Sequence, residues 1–129
     1  MNNLDTLKEG YKNFSEGNIE AVLSMWDEKI VWHACAGLPY IEGDGIFIGP
    51  QAVLTNVLAT IPAHFDDFSI EISDFIDGGD KIVMQGYYTG VWKETGKRFK
   101  ANATHTWTFK NGKPCTFFQA VDSALIMNP

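Results

Sequence analysis

The chain has 129 residues, enough for one domain that buries a core without disulfide or metal staples. Its 45% hydrophobic and 13% aromatic content excludes a disordered chain, and a net charge of −6 without a dense Lys/Arg cluster argues against a nucleic-acid footprint. No apolar run approaches transmembrane length and no apolar leader core follows Met1, so neither a membrane nor export is expected and the protein is read as cytoplasmic.

In chain order, Leu4, Leu7, Tyr11 and Phe14 recur at spacings of three and four, which predicts an amphipathic helix of about three turns. Ser15-Glu16-Gly17 closes it. Asn18 suits the N-cap of a second helix running to about Trp26, with Ile19, Val22, Leu23 and Trp26 on its buried face. Tyr11 carries the one hydroxyl on the first apolar stripe. It reads either as a core tyrosine bonded to a backbone carbonyl or as a donor facing a pocket.

Residues 30–35 (I-V-W-H-A-C) read as a short strand, with Val31, His33 and Cys35 on one face and Trp32 on the other. Residues 37–49 hold four glycines and Pro39 together with Tyr40, Ile41, Ile46, Phe47 and Ile48. Such an apolar loop is expected to fold over the core as a lid or to meet a partner. Pro50 opens a third helix whose inward face is Val53, Leu54, Val57, Leu58 and Ile61, with Pro62 ending it.

From Phe65 the period changes to two. Three turns, at 78–80, 94–96 and 111–112, separate four consecutive strands. The third of these alternates strictly, with Phe99, Ala101, Ala103, His105, Trp107 and Phe109 on one face and polar residues on the other. Asn111-Gly112 supplies the positive backbone angles of a tight hairpin, and the return strand runs from about Pro114 to Asp122. Six of the ten basic residues lie between Lys93 and Lys113, and six of the sixteen acids between Asp66 and Asp80, which predicts solvated strand faces that neighbour each other. Cys35 and Cys115 read as reduced. The histidines at 33, 64 and 105 show no ligand spacing, so no metal is expected, and no phosphate loop, nucleophile elbow or CxxC is present.

These elements make an α+β domain spanning 1–129: a curved, mostly antiparallel sheet with three N-terminal helices on one face, forming a cone with an interior. Several stretches carry a resemblance: Y-x-x-F in the first helix, G-N before the second, the W-H strand, G-P-Q-A-V, T-G-K-R-F, H-T-W-T-F-K-N-G-K and F-Q-A-V-D. They resemble the SnoaL-like, ketosteroid isomerase-related branch of the nuclear-transport-factor-2-like superfamily. The resemblance implies a cone-shaped domain, a small hydrophobic pocket, and a homodimer through the outer sheet face, for which Phe117, Gln119 and Val121 are the expected positions. It also implies that Tyr11 sits near the isomerases' oxyanion tyrosine, His105 near their protonated aspartate and His33 near their general base. With both carboxylates replaced by imidazoles, steroid isomerisation is not expected.

The family's polyketide cyclases use a histidine–aspartate pair, and His105 with Asp122 is the candidate for one. An imidazole beside a carboxylate suits proton transfer next to a carbonyl, without a cofactor, whereas an apolar wall of Phe99, Trp107 and Phe118 favours the neutral ring. Trp26, Trp32 and Tyr40 complete the expected pocket for a small hydrophobic, carbonyl-bearing ligand. Two readings stay open: acid–base catalysis by these residues, or a ligand-binding or dimerisation module of the same fold.

Overall fold

The computed structural model describes residues 1–129. Helix α1 (Asn3–Ser15) starts at Asn2, whose side chain accepts from the Asp5 amide, and ends before Gly17 at φ +78°. Helix α2 (Ile19–Ser24) leads into strand β1 (Val31–His33). Residues 37–49, expected as a lid or partner contact, contain strand β2 (Ile46–Ile48), which pairs antiparallel with β1. The rest of that segment folds inward, with Leu38 and Ile41 buried.

Helix α3 (Pro50–Asn56) has Pro50 in its first turn, as predicted, but it breaks at Val57. A 3₁₀ turn (Leu58–Thr60) and a one-turn helix α4 (Ile61–His64) follow, so Pro62 lies inside α4 rather than after the last helix. Proline is tolerated there because first-turn amides have no intrahelical acceptor. The remaining strands are β3 (Phe65–Asp77), β4 (Lys81–Trp92), β5 (Lys97–Lys110) and β6 (Lys113–Val121). A short helix α5 (Ser123–Met127), absent from the sequence reading, closes the chain.

The six strands form one sheet in the order β2-β1-β6-β5-β4-β3, antiparallel except for β1 beside β6. Its curvature is built where β3 and β4 meet. Strand β3 carries irregularities between Asp66 and Ser69 and between Ile72 and Asp74. Opposite the second stands Gly86, where a Cβ would lie 2.1 Å from the Glu71 carbonyl oxygen. Bulges and a bare glycine let one strand fold against its neighbour, bending the sheet into the wall of a cone. The expected proximity of acidic and basic strand faces is realised by the pairs Lys93–Asp66, Arg98–Asp67 and Lys100–Glu71, all exposed.

The alternation read along β5 holds: Phe99, Ala101, Ala103, His105, Trp107 and Phe109 are all buried. Asn111 (φ +52°) and Gly112 (φ +75°) make the tight turn. Strand β6 does not follow the regular register. Phe109 faces Pro114, but Thr108 faces Thr116, so Cys115 is an extra residue. From there each β6 side chain points opposite to simple hairpin counting, because a one-residue slip exchanges the faces of a strand.

Candidate functional site

Helices α1 and α2, the segment after β1 and the inner sheet face enclose a cavity of about 90 Å³. Seventeen of its 22 lining residues are hydrophobic, and none is a carboxylate or a lysine. That composition suits an apolar body with few polar groups. Trp26, Trp32, Tyr40 and Trp107 line it as expected, and so do Tyr11 and His105.

The bulge at Cys115 decides what else reaches it. Phe117 (1% exposed) and Gln119 point inward opposite Trp107 and His105, while Phe118 (53% exposed) points outward. Phe118 is therefore not a cavity residue, and Phe117, Gln119 and Val121, the last packed against the core opposite Ala103, are not outer-face positions as the sequence suggested. The same slip turns Asp122 away from the interior. Asp122 is exposed, and its carboxylate caps α5 by accepting from the Leu125 amide at 3.2 Å. The expected His105–Asp122 pair is not formed. His33 also lies on the outer face, its ring 5.0 Å from that of Phe118, because Trp32 takes the inward position on β1. Phe99 is buried against Phe65 in the core beyond the cavity.

His105 (3% exposed) finds two tyrosines instead. Its Nδ1 lies 2.7 Å from Tyr11 Oη and its Nε2 lies 2.5 Å from Tyr88 Oη. The proton positions follow from the two ends of the chain. The Ala34 carbonyl only accepts, so Gln119 turns its amide nitrogen there (2.8 Å) and its oxygen toward Tyr88 Oη (2.6 Å). Tyr88 thus spends its single proton on Gln119 and must accept from His105 Nε2–H. At the other end the Trp107 indole only donates, to Tyr11 Oη at 2.8 Å, which leaves the Tyr11 proton for His105 Nδ1. The relay runs one way: Trp107, Tyr11, His105, Tyr88, Gln119, Ala34.

Every member of this relay is neutral. Burial without a carboxylate lowers the His105 pKa from 6.5 to about 3. Burial also raises Tyr11 well above the usual phenol range, against a smaller opposing effect of the Trp107 hydrogen bond. It raises Tyr88 likewise, with the neighbouring Tyr11 adding to the effect. Outside the relay, Thr6 and Tyr40 also line the cavity, and Trp32 Nε1 is buried with no hydrogen-bond partner. Tyr88 and Gln119 were missed in the sequence. Tyr88 carried only its parity on β4 as a signal, and the inward facing of Gln119 depends on the bulge.

No group of three or more His, Cys, Asp or Glu side chains gathers anywhere in the chain, and no helix is long and apolar enough to cross a membrane. Both cysteines are free.

A family model described as SnoaL-like domain matches residues 7–115. Among curated proteins, none matches the sequence. Among solved structures, an NTF2-like protein from Burkholderia thailandensis is 23% identical, with a TM-score of 0.90 over 100% of this chain and 99% of its own. An NTF2-like protein of unknown function from Burkholderia pseudomallei is 26% identical, with a TM-score of 0.86 over 98% of each chain. IdmH from Streptomyces antibioticus, described as a candidate polyketide cyclase, is 18% identical, with a TM-score of 0.81 over 98% of this chain and 96% of its own.

Proposed function

This chain belongs to the SnoaL-like domain family, and from that premise we propose that it binds a small hydrophobic ligand carrying a carbonyl group inside the cone. The observation that carries the reading is an apolar cavity whose polar wall is a closed, neutral relay. Such a wall offers no charge to drive proton abstraction, and both ring nitrogens of His105 are engaged. Thr6 and Tyr40 line the cavity outside the relay, and their hydroxyls are the groups a ligand carbonyl would meet without breaking it. A cavity of about 90 Å³ is smaller than the roughly 150 Å³ at which an apolar cavity takes up benzene, so a single-ring ligand is the upper limit and enters only as the walls give. The test is a tryptophan-fluorescence titration with butyrophenone. Saturable quenching supports binding; no change up to millimolar ketone contradicts it.

Catalysis is the second reading. Tyr11 supports it, since it lines the cavity and burial keeps it protonated, so that a hydroxyl turned from His105 Nδ1 toward the ligand would donate to a developing oxyanion. The missing component is a base, because Asp122 and His33 both lie outside the cavity. Deuterium exchange at the α-carbon of bound butyrophenone decides between the readings. Exchange above the buffer rate that Tyr11→Phe abolishes supports the enzyme; binding without exchange supports the module.

A homodimer through the outer sheet face fits the same reading, with different residues from those expected. Ile46, His33 and Phe118 align across β2, β1 and β6, with Ile48 and Val31 in the next row. Ile46, Ile48 and Phe118 are exposed. An uncovered apolar sheet face of this kind invites a partner. Sedimentation equilibrium with only monomer at micromolar concentration contradicts the dimer.

A further inference from the structure

The cavity walls are uncharged, but its surroundings are not. A groove of about 520 Å³ between α1 and β3 adjoins the cavity and shares Tyr11, Phe14, Phe68 and Ile70 with its lining. The ten residues of this groove include Lys8 and Lys12 and no carboxylate, in a chain of sixteen acids and ten bases. The two lysines stand one turn apart on α1, so they present side chains to the same side.

Neither lysine forms an ion pair, not even with Asp5 or Glu9 of the same helix or Glu16 just beyond it. The three ion pairs of the chain use Lys93, Arg98 and Lys100. Lys8 Nζ is instead held 5.7 Å from the centroid of the Phe75 ring, which keeps its charge over the groove. Two like charges one turn apart repel each other, so a small anion between them relieves a local cost as well as adding attraction.

We propose that the ligand of this cavity is an anionic amphiphile, with its apolar carbonyl-bearing end in the cone and a carboxylate or phosphate-ester head in the groove between Lys8 and Lys12. This rests on the ligand-binding reading above and adds the charge and orientation of the ligand. The head group stays outside because a bare anion inside would lose its hydration with no cationic partner among Tyr11, Tyr88, His105 and Gln119. The overall charge of −6 repels anions in general, so the local pair of lysines supplies the selectivity.

The experiment uses the full chain at pH 7.5 and tryptophan fluorescence, with 4-benzoylbutyrate and its uncharged amide as matched probes. The carboxylate binds about fivefold more tightly at low salt, as expected of partly exposed charge contacts. That preference shrinks at 0.5 M NaCl and disappears in the Lys8→Gln/Lys12→Gln variant, whose affinity for the amide is unchanged. Equal binding of carboxylate and amide by the wild type, or a preference that survives the double substitution, overturns the assignment while leaving the cavity reading intact. Failure of both probes to bind overturns the cavity reading and this one together. 4-Benzoylbutyl phosphate separates the two head groups: tighter binding than the carboxylate assigns a phosphate ester, and equal or weaker binding assigns a carboxylate.

Discussion

Tyr88 Oη lies 2.5 Å from His105 Nε2, and because it gives its own proton to Gln119 at 2.6 Å it receives the imidazole proton. The tautomer of a buried histidine is thereby set by a glutamine two bonds along the relay. Nitrogen-15 spectra should show Nε2 protonated and Nδ1 bare throughout pH 5–8. A ring that titrates in that range contradicts the relay.

The same burial makes stability pH-dependent with a definite sign. His105 has a folded pKa of about 3, below its ordinary 6.5. Its contribution is therefore complete above pH 6.5 and is lost as pH falls toward 3, because only the unfolded chain takes up the proton. Between pH 6.5 and 5 urea unfolding should lose about 1.5 kcal/mol from this group. A His105→Asn variant should lack that component of the slope.

Removing the hydroxyl of Tyr88 strands the His105 Nε2–H and the Gln119 oxygen in a buried site. Tyr88→Phe should cost about 1–3 kcal/mol in urea unfolding, with the fold retained by circular dichroism. An effect below about 0.5 kcal/mol contradicts the buried pairing.

The bulge at Cys115 makes neighbouring phenylalanines unequal. Phe117 is stacked on Trp32 at 3.7 Å and fully buried, so Phe117→Ala should cost about 3–5 kcal/mol. Phe118→Ala, on the outer face, should cost under about 1 kcal/mol in the monomer. Similar losses at both positions contradict the register.

Asp122 has exchanged an expected place in the site for a cap. Asp122→Ala should cost about 1 kcal/mol through α5 and leave the His105 nitrogen shifts unchanged. A shift of those resonances contradicts its placement.

What the sequence made legible is the part governed by unbroken periods. The six alternating residues from Phe99 to Phe109, the Asn111-Gly112 turn and the stripe through Tyr11 each repeat one local rule, so His105 and Tyr11 could be placed inside. The return strand offered no such rule, because Phe117 and Phe118 present an equal apolar side chain to either face. Only the pairing with β5 reveals the extra residue, and with it the positions of Gln119, Phe118 and Asp122. Strand β2 was hidden for a related reason: its three residues sit among glycines, and their partner β1 lies thirteen or more positions away. The Tyr88 contact belongs to the curvature of the sheet, which no periodicity along a single strand encodes.

The central claim is that the cavity receives a hydrophobic carbonyl compound. The most direct measurement is a ¹H–¹⁵N spectrum of the four tryptophan indoles, assigned by Trp→Phe variants, before and after saturation with butyrophenone. The account predicts shifts of the Trp26, Trp32 and Trp107 indole resonances, whose side chains line the cavity, with Trp92, which lies outside it, little changed. Indole resonances that stay in place through millimolar ketone contradict it.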